Sequence, residues 1–162
     1  KTTNLVVKVD CSTSSQQIAA VWLKDKSLAM QTNVVANEEG KPRDLYGTVF
    51  QRMIEILHGY NNYAFSRDAL YRLKELNFGR ALVKSAFQGA AYGAGRKTQH
   101  EAIMEKLAEL EEEKQLTLMD ETPAGFSEKS LFLELFDEAL EDVCKLNILN
   151  TWFQTLALYS AG

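Results

Sequence analysis

The chain is expected to be α+β and predominantly helical, on three observations. One run, Asn4-Leu5-Val6-Val7-Lys8-Val9-Asp10, is short, apolar and β-branched, which suits a buried strand. From Gln16 onward, apolar residues recur mostly at three- and four-residue steps, the period of a helix. With 162 residues, 46% hydrophobic and 25% charged, the chain can bury a core without disulfides or metal staples. No window approaches the roughly 18 consecutive apolar residues of a membrane span, so a soluble protein with no membrane partner is expected.

Taken in order, the strand runs into the polar turn Cys11-Ser12-Thr13-Ser14-Ser15, which leaves Asp10 at its end. Gln16 to Leu28 reads as a helix with Ile18, Val21 and Trp22 at helical spacing, and Asn37 to Pro42 is a loop by composition. Asp44 to His58 carries Leu45, Val49, Met53, Ile56 and Leu57 along one face, with Asp44 as its N-cap and Gly59-Tyr60-Asn61-Asn62 as its stop. Ser66 to Leu76 is a further helix. Another starts at Gly79 and runs into the glycine- and alanine-rich stretch Gly89 to Gly95, where backbone can come close to a ligand. Thr98 to Lys114 is a charged surface helix with Ile103, Leu107 and Leu110 as its apolar stripe. After the break at Pro123-Ala124-Gly125, the longest helical region runs from Ser127 to about Tyr159, interrupted near Asn147 to Asn150.

A net charge of -4 argues at first against a nucleic-acid partner. The distribution argues otherwise. Residues 1–100 hold 14 Lys+Arg and 8 Asp+Glu, whereas residues 101–162 hold 4 and 14, so the first part is basic and the second strongly acidic. Gly79 to His100 contains Arg80, Lys84, Arg96 and Lys97 with no carboxylate, and phosphate could bind there. Cys11 and Cys144 match no ligand spacing, so neither a disulfide framework nor a zinc site is expected, and a reducing compartment is. The start at Lys1, without signal-peptide architecture, raises the expectation of a piece of something larger.

Arg80, Lys84, Gln88 and Tyr92 recur every four residues, and on a helix each such step drifts only about 40° around the axis. They form one face offering guanidinium, ammonium, amide and phenol over about 18 Å, enough to span a nucleoside triphosphate. The bland alternative is a polar helix face with Tyr92 packed in the core. Asp10 suits a divalent cation, because phosphoryl transfer needs such ions and magnesium takes oxygen ligands. As an isolated strand-end residue it reads equally as a turn or capping aspartate.

Together these features resemble the phage-type single-subunit RNA polymerases, including their mitochondrial relatives. Asp10, Ser12, Ser14 and Gln17 fit the D-x-S-x-S-x-x-Q pattern of palm motif A. Asp44-Leu45-Tyr46-Gly47 is similar to the D-[IL]-Y-G segment that follows it. Arg80, Lys84 and Tyr92-Gly93 match the R-x3-K-x7-YG pattern of the fingers helix, motif B. A looser likeness continues through Ala124-Gly125-Phe126 to Trp152, so the resemblance spans nearly the whole chain.

The resemblance implies a right-hand polymerase piece: a partial palm sheet in residues 1–58 and a helical fingers module in residues 59–162. It implies DNA-directed RNA synthesis, with a DNA template, ribonucleoside triphosphates and an RNA product. Asp10 would ligate two Mg²⁺ ions, helped by the backbone carbonyl of Cys11. Arg80 and Lys84 would hold the triphosphate, Lys84 also helping pyrophosphate leave. Tyr92 would sense the ribose 2′-hydroxyl, Gly93 would allow close approach, and Gln88 and Tyr46 would line the nucleotide pocket. The cytoplasm of an infected bacterial host, or the virion, is the implied location in preference to the mitochondrion.

There are departures. Ser85 stands where some members have a basic residue, and Gln88 where Met is frequent. No His-Asp-Ser motif C occurs, since His58 and His100 precede Gly59 and Glu101. The second metal-binding aspartate is therefore expected from another chain or a missing segment, in a split or truncated polymerase that is inactive alone. Two rivals stand beside this reading. A related DNA polymerase shares the motif B pattern, but usually has Glu where this chain has Ser15 and an aromatic where it has Gln88. A non-catalytic helical adaptor would use the basic segment for nucleic acid and the acidic remainder for a protein partner.

Overall fold

The apolar repeat that begins at Leu45 builds the central helix of a computed structural model, which describes residues 13–36, 39–59, 79–91, 95–113 and 127–146, with 148, 151, 155, 156, 158 and 159. Six helices lie among the described residues: α1 Ser14–Trp22, α2 Lys26–Gln31, α3 Leu45–Gly59, α4 Gly79–Ala91, α5 Arg96–Glu112 and α6 Glu128–Cys144. None of the described residues is in a strand. The expected strand at 4–10, and with it the palm sheet, lies outside the described residues, as do the helix expected at 66–76 and the break at 123–125. No helix of the described residues is long and apolar enough to cross a membrane.

The core forms where α3 packs on α4 and α6, with α5 lying against α4 and more lightly against α6. Leu45, Val49, Met53, Ile56 and Leu57 are all buried, as their spacing predicts, and Phe50 and Ile54 widen the buried face. Leu82, Val83, Ala86 and Phe87 of α4 meet them, and Phe132, Leu135, Phe136 and Ala139 of α6 close the other side. Ile103, Leu107 and Leu110 are the buried stripe of α5. Cys144 ends α6 inside this core, where burial pushes its thiol up to about 12 and leaves it a small hydrophobe.

The helix expected from Gln16 to Leu28 is instead two. At its end the Asp25 N–H bonds the Ala20 carbonyl (2.9 Å) and the Lys24 N–H that of Val21 (3.2 Å), a Schellman closure with Lys24 at φ 53. Asp25 then caps the next helix, its Oδ1 accepting the Leu28 N–H at 3.0 Å. Asn33, at φ 61, ends α2 the same way. The apolar residues that suggested one helix are its outer face: Ile18, Val21 and Trp22 are each at least half exposed, while Gln16, Ala19 and Ala20 are buried. This pair of helices is fastened by polar contacts, Thr48 Oγ1 donating to Gln31 Oε1 (3.0 Å) and Lys145 Nζ to the Asp25 carboxylate.

Candidate functional site

Helix α4 places the basic residues. Burial of Leu82, Val83, Ala86 and Phe87 turns Arg80 and Lys84 together onto the exposed face, one turn apart. Gly79 sets where that face begins. A Cβ there would lie 2.2 Å from the Phe50 ring, so only glycine lets the start of α4 rest directly on α3. The closeness brings Arg80 within reach of the segment leading into α3.

Two contacts hold Arg80. Its Nε donates to Asp44 Oδ2 at 2.7 Å, and its guanidinium carbon lies 5.2 Å from the centroid of the Tyr46 ring. Tyr46 is in turn braced edge-on by the buried Phe87, with centroids 5.3 Å apart and planes at 83°. Asp44 stands in the N-cap position expected of it, its carbonyl accepting the Thr48 N–H at 2.9 Å, but its carboxylate is engaged by Arg80.

Beside this cluster lies a pocket of about 280 Å³, lined by Thr13, Gln31, Asn33, Pro42, Arg43, Asp44, Leu45, Tyr46 and Arg80. That is near the lower end of the roughly 300–1,000 Å³ of small-molecule sites, enough for a phosphate tail rather than a whole nucleotide. Asn33 pins its rim: Nδ2 donates to the Arg43 carbonyl (2.9 Å) and Oδ1 accepts the Arg43 N–H (2.6 Å).

The deciding comparison is with known families. A family model described as DNA-dependent RNA polymerase matches residues 2–158. The chain belongs to the phage-type RNA polymerase family. No curated protein and no solved structure matches it. The match makes the chain a polymerase-related region of a family that acts on a DNA template with nucleoside triphosphates and generally uses magnesium.

Within this polymerase region, the structure brings Arg80, Tyr46 and the pocket together and puts Lys84 on the same face of α4. Asp10, Cys11, Tyr92 and Gly93 lie outside the described residues, and of Gln88 only the backbone, in α4, is described. Among the described residues, no three His, Cys, Asp or Glu side chains converge to hold a metal.

The carboxylate-free stretch is less basic in space than along the chain. Arg80 pairs with Asp44, Arg96 Nε with Asp137 Oδ2 (3.1 Å) and Lys97 with Glu101 (3.8 Å). Of its four cations, Lys84 alone has no ionic or hydrogen-bonding partner among the described residues. Sequence reasoning missed Asp44 as a site residue. The Asp-Leu-Tyr-Gly segment contained the clue, but the N-cap role already accounted for the aspartate.

Proposed function

We propose that this chain is part of the catalytic core of a DNA-directed RNA polymerase, adding ribonucleotides by nucleotidyl transfer. What carries the reading is Arg80 and Lys84 exposed on one face of α4 beside a pocket walled by Tyr46, in a chain of this family. Arg80 presents a fork suited to phosphate oxygens and Lys84 a mobile point charge. Lys84 stabilises negative charge on the pyrophosphate as the bond from the α-phosphorus to its bridging oxygen breaks and the bond to the RNA 3′ oxygen forms. Tyr92, with Gly93 and Gln88, contacts the sugar and base. Magnesium, when bound, neutralises charge on the phosphate oxygens, and Asp10 with the Cys11 carbonyl is the holder assigned to it.

The palm portion, 1–58, and the fingers module, 59–162, belong to this proposal, and the apolar core shared by α3, α4 and α6 joins them. The second catalytic aspartate comes from the chain or segment carrying motif C. The test is single-nucleotide incorporation by the completed polymerase. Lys84→Ala is expected to slow incorporation by at least about a hundredfold, the scale of losing one charge-stabilising donor. Asp10→Asn should keep nucleic-acid binding and lose chemistry. Full activity in both variants would leave a non-catalytic adaptor, and preference for deoxynucleotides would leave a DNA polymerase.

A further inference from the structure

We propose that Asp44 is the positioning residue for Arg80, holding its guanidinium so that the unused donors serve a triphosphate. This rests on the reading of Arg80 as a triphosphate ligand. Only Nε is spent on Asp44 Oδ2, at 2.7 Å, and among the described residues the Nη groups have no hydrogen-bond partner. The Tyr46 ring, 5.2 Å from the guanidinium carbon, supports the same group from its face. Arg80 is otherwise a half-exposed side chain, 51% accessible, and would sample many rotamers. An arginine held by one carboxylate and one ring has already lost the rotamer entropy that phosphate binding would otherwise have to take from it.

Gly47 completes the device. A Cβ at that position would sit 3.0 Å from Asp44 Oδ2, tighter than ordinary contact, so a residue with a side chain would make the carboxylate give by a few tenths of an ångström and loosen its bond to Arg80. In the first turn of α3 a glycine gives up helix-forming tendency relative to alanine. Space for the Asp44 carboxylate is a reason for it to be there.

The test is calorimetric titration of the full chain with inorganic triphosphate, with thermal unfolding measured in parallel. Asp44→Ala is expected to weaken binding about three- to tenfold, the scale of one immobilised side chain. In an Arg80→Gln background the same substitution should have no further effect. Asp44→Asn, which keeps an acceptor oxygen, should recover binding to within about twofold of the parent. Gly47→Ala should weaken binding about twofold while raising the unfolding temperature, opposite movements that a purely structural role would not produce. Unchanged or tighter binding in Asp44→Ala, with binding lost in Arg80→Gln, would overturn the positioning role and leave the triphosphate reading intact. Equal weakening by Asp44→Ala in both backgrounds would also overturn it. No effect of Arg80→Gln alone would sink both. Should Asp44→Ala fail to fold, Gly47→Ala and Asp44→Asn carry the test.

Discussion

The two ends of the carboxylate-free stretch look alike along the chain and differ in space. At one end, Arg80 gives a single N–H to Asp44, leans on Tyr46 and faces a pocket. At the other, Arg96 and His100 both converge on Asp137, His100 Nε2 lying 3.0 Å from each carboxylate oxygen, and the cluster fastens α5 to α6. The Asp137 side chain is only 21% exposed and its charge is shared between two partners. An ion pair that spends one donor beside a cavity can still bind something. One that saturates its carboxylate between two helices is a staple. Charge counting along the sequence cannot tell these apart, because the deciding carboxylates, Asp44 and Asp137, come from outside the stretch.

The sharpest way to break the contrast is at Gly79. Alanine there places a Cβ within 2.4 Å of three atoms of the buried Phe50 ring, so either the ring or the start of α4 must move. Overpacking of this kind costs about 1–3 kcal/mol. Gly79→Ala is expected to lower stability in denaturant titration by that amount and to weaken triphosphate binding as well, since Arg80 follows directly. A drop in stability with unaltered binding would show that the two are not coupled through α4.

Asp137→Ala should separate the two ends cleanly. It leaves His100 and Arg96 without their shared carboxylate, at an expected cost of about 1–2 kcal/mol, and should leave triphosphate affinity unchanged. Weakened binding would mean that the α5 end contributes to the site after all.

A third interhelical pair, Lys145 with Asp25, behaves as a staple and adds a pH signature. The ammonium of Lys145, together with the Leu28 N–H, holds the Asp25 carboxyl below its usual range. A lowered folded value contributes stability that is present above about pH 4, the unfolded value, and is lost as pH falls through the folded one. Asp25→Asn should therefore remove part of the acid sensitivity of unfolding and cost about 1 kcal/mol at neutral pH. An unchanged acid profile would assign the sensitivity elsewhere.

What the residues reveal in advance follows from how local each determinant is. Leu45, Val49, Met53, Ile56 and Leu57 announce the buried face of α3 because a helix period needs no partner to be read. Arg80 and Lys84 on one face are legible for the same reason. Ile18, Val21 and Trp22 mislead, since periodicity marks a helix but not which side the rest of the chain covers. The Lys24 closure was hidden because the left-handed residue is a lysine rather than the glycine that usually marks it. The Asp44 contact spans 36 positions and depends on the absence of side chains at Gly47 and Gly79, which no local pattern displays.

The smallest effect is expected at Lys97, and it tests whether charge in this stretch matters wherever it falls. Lys97 reaches Glu101 at 3.8 Å with 90% and 63% of the two side chains exposed, so solvent and salt screen the pair. Its sequence order is also the weaker one, the cation preceding the anion, in the first turn of α5 where the helix dipole disfavours positive charge. Lys97→Gln removes a weak attraction and a weak repulsion together. Triphosphate affinity should stay within twofold, and the unfolding temperature should hold or rise slightly. A fall of more than about 2 °C would give Lys97 a structural partner beyond Glu101. A marked loss of affinity would mean that the net basic charge of the segment, and not the held geometry of Arg80, attracts the phosphate.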